Sequence, residues 1–135
     1  MTKTEERVYK WINQSDYDLE TANVVYKTKR YLYVGFMCQQ AIEKIFKAYY
    51  LKRTEKEPPY THNLLLLAEK SDFYNLLTDG QQDLLDYVNV LYISTRYPED
   101  KTALSQMLTQ DKCAELLKQT KLIQQWTKEK ILLIK

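Results

Sequence analysis

Glycine and proline are scarce in this sequence, which contains two glycines and three prolines among 135 residues. Few positions are therefore available for the tight turns that join β-strands. Apolar residues instead recur at intervals of three and four along most of the chain, as they do in amphipathic α-helices. The length is that of one domain with a continuous core. We predict an all-α fold and a single domain that spans residues 1–135.

Cysteine and histidine are also rare, with two residues and one residue respectively. Cys38 and Cys113 show neither the CxxC nor the Cys/His spacing of a metal site, and they do not form the pattern of a disulfide framework. Both cysteines lie in helical patterns, and we interpret them as small core residues. The sequence therefore predicts no metal site and no cofactor.

Long apolar runs are absent as well. No segment approaches 18 consecutive apolar residues, and the N-terminal sequence MTKTEERVYKW lacks the apolar stretch of a signal peptide. These two observations favour a cytoplasmic protein without membrane association. We adopt that location as the expectation.

The charges are nearly balanced. Twenty basic and 18 acidic residues give a formal net charge of +2. This excess is too small for a broad positive surface that would hold nucleic acid by its phosphates alone. Any contact with a nucleotide must therefore depend on a local arrangement of side chains.

The apolar pattern predicts four long helices and one short helical region. Consecutive prolines in the segment TEKEPPY remove backbone donors and interrupt the pattern, so this segment is the longest predicted loop. We interpret the Asp-Gly pair at 79 and 80 as a second break. Because the connections are short, we predict an up-and-down four-helix bundle with one additional short helix. The predicted helices span about 4–29, 31–53, one or two short pieces within 64–77, 81–96, and a last long helix that begins near 101.

Arg96 lies at the end of the fourth predicted helix, in the sequence STRYPED. It continues a half-buried stripe of that helix that also includes Leu85, Asn89 and Tyr92. A phosphate could satisfy its guanidinium bidentately, with Tyr97 offering a surface on which a base stacks. An internal ion pair would satisfy the same geometry. The sequence leaves both interpretations open, and the candidate carboxylates for the second are Asp18, Glu43 and Asp100.

The second predicted helix carries a polar stripe beside its apolar face, formed by Gln40, Glu43 and Lys47. As a plain surface pair, Glu43 and Lys47 at i and i+4 would contribute about 0.3–0.5 kcal/mol. If the stripe faces Arg96, Glu43 would orient the guanidinium and Lys47 would add a second phosphate donor. We also expect the carboxylate of Asp18, on the first helix, to lie near the interior.

Four stretches in this order resemble the HEPN family of small helical bundles from bacteria and archaea. The resemblance covers nearly the whole chain, and the sequence QQAIEKIFKA, followed by a segment with a histidine and then by RYP, carries most of it. The four stretches are WINQSDYDLETA at 11–22, FMCQQAIEKIFKAYYL at 36–51, PYTHNLLLLAE at 59–69 and NVLYISTRYPED at 89–100.

The resemblance implies a function that involves nucleotides. Proteins similar to this one are often encoded beside a minimal nucleotidyltransferase, and the pair acts as a toxin with its antitoxin or as a catalytic subunit with its substrate-binding partner. Many members are RNases that use an Arg-x4-6-His motif brought together across a homodimer. The resemblance therefore implies a nucleotide or RNA as ligand, a nucleotidyltransferase as partner and a homodimer.

The chain departs from that RNase motif. No histidine follows Arg96, and the single histidine, His62, precedes it in another element. Metal-independent RNA cleavage needs a base, an acid and a cation, and histidine is the side chain best suited to the first two roles. His62 could serve only if folding or dimerisation brings it beside Arg96. Otherwise its imidazole packs or caps locally at a helix N-terminus.

Three hypotheses follow from the sequence. The first is a nucleotide- or RNA-phosphate-binding protein without chemistry of its own, and the second is a divergent metal-independent RNase toxin that uses Arg96 and His62. The third is a non-catalytic dimeric scaffold in which the polar stripe fixes the register of the helices. For the first hypothesis the candidate binding residues are Arg96, Tyr97, Glu43, Lys47, His62 and Asp18.

Overall fold

Helices dominate the structure, a computed structural model that describes residues 1–97, 99 and 101–135. A short 3-10 helix, Tyr74–Leu76, lies between the third and fourth α-helices, and the described residues contain no strand. These observations confirm the predicted all-α helical bundle. The α-helices are α1 (Lys3–Lys27), α2 (Tyr31–Thr54), α3 (Leu64–Lys70), α4 (Asp79–Thr95), α5 (Lys101–Met107) and α6 (Gln110–Leu133).

Helix α2 is the central helix and contacts each of the other five. Its side chains Ile42, Ile45 and Phe46 are fully buried, and the ring of Phe73 meets the ring of Phe46 edge to face at 4.9 Å. The burial of such large apolar side chains contributes about 1.5–3 kcal/mol each. Because α2 is surrounded, polar side chains on it must find partners on neighbouring elements.

Helices α2 and α4 approach each other closely at Gly35. A Cβ added at this glycine would lie 2.7 Å from Cδ1 of Leu91, a fully buried residue of α4. The absence of a side chain therefore lets the two helix backbones pack closely. This contact sets the position of α4, and with it the end of α4 that carries Arg96.

Helix α4 begins earlier than the sequence pattern predicted. Asp79 and Gly80 lie inside its first turn, although we expected them to form a break. Thr78 is the reason, since its side chain accepts from the backbone N–H of Gln81 while the side chain of Gln81 accepts from the backbone N–H of Thr78. This reciprocal capping box satisfies two N–H groups and starts the helix before the glycine.

The predicted last helix is divided into α5 and α6. Thr109 lies at the division with an extended backbone, and its hydroxyl accepts from the backbone N–H of Lys112. Leu104 and Leu108 are both buried and hold α5 against the bundle. A new N-cap therefore begins α6 where the apolar pattern alone indicates a continuous helix.

The long loop predicted after α2 is confirmed. Glu55 ends α2 in a left-handed conformation with φ of 58°, and its backbone N–H donates to the carbonyl of Leu51 at 2.8 Å. The chain then runs through Pro58 and Pro59 without regular structure as far as the start of α3. This loop places His62 beside α2.

Both cysteines are fully buried, as predicted. Burial raises the pKa of the Cys38 thiol to about 12 and the pKa of the Cys113 thiol to about 11. Each thiol is therefore protonated near neutral pH and packs as a small apolar group.

Candidate functional site

The carboxylate of Glu43, on α2, is the centre of the candidate site. Glu43 is buried, with a relative exposure of only 2%. Gln39 and Lys47 lie one turn before and one turn after it on the same helix face, so the three side chains meet. Gln39 Nε2 donates to Oε1 at 3.0 Å, and Lys47 Nζ donates to Oε2 at 2.9 Å. These hydrogen bonds compensate for the loss of hydration that an ionised carboxylate suffers on burial.

His62 approaches the same carboxylate from the α2–α3 loop, with Nδ1 2.8 Å from Oε1 of Glu43. Burial raises the pKa of Glu43, but the hydrogen bonds that the carboxylate accepts and the charge of Lys47 outweigh burial and lower this pKa below its ordinary value. An ionised carboxylate can only accept, so Nδ1 carries the proton of this hydrogen bond. The other ring nitrogen, Nε2, has no hydrogen-bond partner among the described residues.

Gln39 holds the His62 loop on α2. Its Nε2 donates to the backbone carbonyl of His62 at 2.8 Å in addition to Glu43, so both amide hydrogens are used. Its Oε1 accepts from Gln40 Nε2 at 2.7 Å. The amide of Gln39 is therefore fixed in orientation, and it fixes both the backbone and the carboxylate on which the imidazole depends.

The ring of Tyr92, on α4, lies between His62 and Arg96. Its centroid is 5.1 Å from that of the imidazole, and the Arg96 Cζ lies 5.6 Å from the same centroid. Phe36, on α2, stacks on the Tyr92 ring with a centroid distance of 5.1 Å. Burial raises the pKa of Tyr92, although the charge of Arg96 opposes the shift. Tyr92 thus connects the loop histidine with the arginine at the end of α4.

Two asparagines join the His62 loop to α4. Asn63 caps α3, with its Oδ1 accepting from the backbone N–H groups of Leu65 at 3.1 Å and Leu66 at 3.3 Å. Asn89 Nδ2 donates to the same oxygen at 3.0 Å, and Asn89 Oδ1 accepts from the backbone N–H of Leu64 at 3.1 Å. The loop is therefore anchored to α2 on one side and to α4 on the other.

These residues surround a surface recess of about 250 Å³. Glu43 lies behind His62 and is too buried to line this space. The wall therefore presents an imidazole, a guanidinium and two amides, and no carboxylate of the described residues. The lining residues of the recess are His62, Asn63, Asn89, Tyr92, Ile93 and Arg96.

Arg96 has no carboxylate within 4.0 Å among the described residues. Asp18, one of the predicted partners, lies 3.6 Å from Lys44 Nζ, and Glu43 pairs with Lys47. The third predicted partner, Asp100, lies outside the described residues. Arg96 itself is exposed rather than half-buried, and its guanidinium rests over the Tyr92 ring at the mouth of the recess.

Three of the predicted binding residues lie away from the recess. The Lys47 side chain is only 7% exposed and points towards Glu43 and the ring of Trp11, 5.6 Å from its centroid. Asp18 is buried and accepts from Gln14 at 2.9 Å. Tyr97 is 51% exposed and does not line the recess. Of the predicted set, Arg96 and His62 meet at the recess, and Glu43 orients His62 rather than the guanidinium.

Asn63 and Asn89 were not predicted as site residues. The sequence could have indicated Asn89, because Asn89, Tyr92 and Arg96 lie on one predicted stripe of the fourth helix. Asn63 follows His62 directly and occupies the N-cap position that its residue type favours. The sequence does not reveal that the two amides meet, since that contact depends on how the loop docks on α4.

Other features of the described residues point away from alternative sites. No group of three side chains that could hold a metal ion is present in the part of the chain that the structure describes. Within the same residues, none of the helices is long and apolar enough to cross a membrane. A larger groove of about 410 Å³ lies between α1 and the end of α6 and is lined mainly by apolar residues such as Val8, Ile12 and Ile131. We place the site at the smaller recess because its side chains include a histidine and an arginine.

Comparisons with known proteins agree with this architecture. The model of the HEPN domain matches residues 8–131. The chain is also similar to the crystal structure of TT1696 from Thermus thermophilus, with a TM-score of 0.69 and 25% sequence identity. The match covers 92% of this chain and 98% of the other. No functionally curated protein shows significant sequence similarity to the chain.

Proposed function

The chain belongs to the HEPN family, and we propose that it binds a nucleotide or an RNA phosphate at the recess and acts with a separately encoded nucleotidyltransferase in a toxin–antitoxin-type module. Members of this family are commonly associated with nucleic acid and with dimers. The observation that carries the proposal is the position of His62 and Arg96 on one recess whose described lining includes no carboxylate. An anion is the ligand that such a lining favours.

Arg96 supplies the main interaction with the ligand. Its planar guanidinium can donate two parallel hydrogen bonds to a phosphate, and the Tyr92 ring supports it from one side. The site is largely exposed, so this interaction is strengthened by the convergence of several donors rather than by deep burial. His62 Nε2 and the asparagine amides provide the further polar groups around the same space.

The size of the recess indicates which part of a nucleotide it holds. At about 250 Å³ it is smaller than the pockets of about 300–1,000 Å³ that enclose a whole small molecule. It suits a phosphate with part of its sugar and leaves the base outside. Tyr60 is 95% exposed with its ring centroid 5.9 Å from that of His62, where it offers a surface for stacking.

Titration of the purified protein with ATP and with a short RNA tests this proposal. We expect Arg96→Ala to weaken binding by about tenfold or more, because a charged hydrogen bond to phosphate is lost. Arg53→Ala is the matched control, since Arg53 is an exposed arginine that pairs with Asp72 away from the recess. Equal affinities of the wild type and Arg96→Ala would remove Arg96 from the binding site.

The partner and the homodimer are tested separately. A nucleotidyltransferase encoded beside this protein should co-purify with it when both are expressed together. The mass in solution at micromolar concentration should be that of two chains. A mass of one chain, measured by light scattering, would contradict the homodimer without touching the nucleotide site.

A metal-independent RNase is the second candidate function, and the Glu43–His62 pair favours it. With Nδ1 held by Glu43, Nε2 of His62 can take the proton of a ribose 2′-hydroxyl. The 2′-oxygen then bonds to phosphorus as the bond to the 5′-oxygen breaks, which gives a 2′,3′-cyclic phosphate and a 5′-hydroxyl end. Arg96 stabilises the charge on the phosphorane oxygens. The proton for the leaving oxygen would come from Nε2 of a His62 that starts as imidazolium in a second copy of the dimer, so one imidazole gains the proton that the other loses.

The RNase candidate predicts cleavage of RNA in the presence of EDTA, with cyclic phosphate ends detected by mass spectrometry. His62→Ala should abolish cleavage, whereas Lys121→Ala, an exposed substitution on α6, should leave it unchanged. Expression of the wild type alone should also arrest growth. RNA that stays intact with folded wild-type protein at high concentration would exclude this candidate and leave the binding function in place.

A further inference from the structure

We propose that the side-chain amide of Asn63 is a ligand-binding donor that converges with Arg96 on the same phosphate oxygens. This inference rests on the proposed nucleotide-binding function and adds a residue to it. The Asn63 side chain lines the recess and is exposed to solvent. Its role as the N-cap of α3 uses only its oxygen, so its nitrogen is left for a second role.

The orientation of the amide is fixed by three donors. Oδ1 accepts from the backbone N–H groups of Leu65 and Leu66 and from Asn89 Nδ2, at distances between 3.0 and 3.3 Å. A flipped amide would direct its NH₂ group at these three N–H donors, so the assignment of oxygen and nitrogen follows from the contacts. Nδ2 must therefore be the atom that points away from α3.

Nδ2 of Asn63 donates no hydrogen bond to any of the described residues. Its two hydrogens are the only unused part of an otherwise saturated side chain. The backbone N–H groups of the first turn of α3 are not available, because Asn89 binds that of Leu64 and Asn63 binds the next two. An anion here would therefore be bound by the side-chain amide of Asn63 rather than by the backbone N–H groups at the start of α3.

The chemistry of the recess favours an acceptor-rich ligand. Arg96 contributes only donors, Asn63 contributes its NH₂ group and Asn89 retains the second hydrogen of Nδ2, whereas Nε2 of His62 accepts unless it takes up a proton together with the ligand. No carboxylate of the described residues lines the same space. A phosphate offers several acceptor oxygens in a small volume, so a phosphate monoester or diester satisfies these donors together. A neutral nucleoside does not provide this match.

Two substitutions separate the capping role of Asn63 from the donor role. Asn63→Asp keeps the oxygen that caps α3, because Asp is as good an N-cap as Asn, but it replaces the NH₂ donor with a negative charge. Asn63→Ser keeps a capping oxygen and removes the donor without adding charge. Both variants should therefore unfold at nearly the wild-type temperature. Asn63→Ser should weaken binding of AMP by about tenfold, and Asn63→Asp by about a hundredfold.

The experiment uses AMP, adenosine and inorganic phosphate as probes of the full chain by calorimetry. Thr78→Ala is the control for a lost cap, because it removes an N-cap of α4 distant from the described recess lining. It should lower the unfolding temperature and leave AMP binding unchanged. If wild type binds AMP and both Asn63 variants bind it equally well, the inference fails while the proposed function stands. If wild type binds none of AMP, phosphate, ATP and the short RNA, both fail. Binding of adenosine with the affinity of AMP would also contradict the inference.

Discussion

Two clusters of polar side chains lie within this bundle, and they differ in whether a polar atom is left without a hydrogen-bond partner. In the closed cluster, Ser15 Oγ on α1 donates to the carbonyl of Ala41 at 2.6 Å and accepts from Gln124 Nε2, on α6, at 3.0 Å. Gln124 Nε2 also donates to Asp16 at 3.1 Å. In the open cluster, formed by Gln39, Glu43, Lys47 and His62, the Nε2 of His62 has no hydrogen-bond partner among the described residues, and His62 lines the recess.

The comparison shows that polar burial by itself does not indicate a functional site. The closed cluster ties three helices together and reaches the surface at the Asp16 carboxylate, whose side chain is 48% exposed and paired with Lys128. The open cluster is equally well bonded on its buried side, but His62 extends it to the surface with 40% of its side chain exposed. Both clusters therefore reach the surface, but the closed one ends on a carboxylate that is already paired, whereas the open one ends on an imidazole whose Nε2 has no partner among the described residues. The following substitutions test that distinction.

The largest loss of stability is expected from Glu43→Ala in the open cluster. This change leaves the buried ammonium of Lys47 without its carboxylate and His62 without its acceptor. Loss of one partner of a buried ion pair costs about 3–5 kcal/mol of unfolding free energy. Urea denaturation followed by circular dichroism measures it.

A second variant tests whether the unpaired charge of Lys47, rather than the loss of other contacts, causes the loss of stability in Glu43→Ala. Glu43→Ala combined with Lys47→Met removes the charge and retains an aliphatic chain, so it should recover most of the lost stability. If Glu43→Ala alone costs less than about 1 kcal/mol, the pair is not buried in solution as the structure has it.

Ser15→Ala in the closed cluster should have an intermediate effect. It leaves the carbonyl of Ala41 and the amide of Gln124 without this partner, and a buried group that loses its hydrogen bond costs about 1–3 kcal/mol. Thr21→Ala is the control, because Thr21 is half-buried on the same helix and its hydroxyl bonds only to the Tyr17 carbonyl of that helix, and it should change stability by less than about 0.5 kcal/mol. Nucleotide binding should be unchanged in both variants. A loss of binding in Ser15→Ala at a temperature where it is folded would mean that the two clusters are coupled.

The pH dependence of stability provides a smaller test of the open cluster. Folding lowers the pKa of Glu43, so as the pH falls the unfolded chain takes up the proton first. The stabilisation from this carboxylate is complete above its ordinary pKa of 4.5 and is lost as the pH falls through the lower value of the folded state. The difference in unfolding free energy between wild type and Glu43→Gln should therefore shrink on acidification below the ordinary pKa of 4.5. A difference that stays constant throughout the acid range would show that folding does not lower the pKa of Glu43.

Local signals in the sequence predicted the helices and identified two of the residues that line the candidate site. The apolar periodicity located α1 and α2 almost to their ends, and the stripe of α4 placed Asn89, Tyr92 and Arg96 on one face. The division between α5 and α6 was not predicted, because it depends on a single capping side chain, Thr109, within a continuous apolar pattern. One hydrogen bond at a helix start is a weak signal beside several turns of regular spacing.

The meeting of His62 with Arg96 could not be predicted for a different reason. Arg96 lies on a helix whose face is readable, whereas His62 lies on an irregular loop whose path is set by contacts distant in sequence. Gln39 and the Asn63–Asn89 pair determine that path. The sequence likewise identified Glu43 and Lys47 as neighbours, but not that His62 would be the third member. Periodicity describes one helix at a time and contains no information on how a loop docks against two helices.

The smallest loss of stability is expected from Arg96→Ala, and this result would sharpen the comparison most. Arg96 is exposed and its described contact is with the Tyr92 ring, an interaction worth about 0.5–1 kcal/mol at an exposed position. Removal of the side chain should therefore cost at most about 1 kcal/mol, although it weakens nucleotide binding by about tenfold or more. Arg96→Lys is the companion variant, because it keeps the charge and loses the bidentate geometry. Its affinity for the nucleotide should lie between that of the wild type and that of Arg96→Ala. If Arg96→Ala instead destabilises the protein to the extent that Glu43→Ala does, the guanidinium is part of the scaffold rather than a group held free for a ligand at the recess.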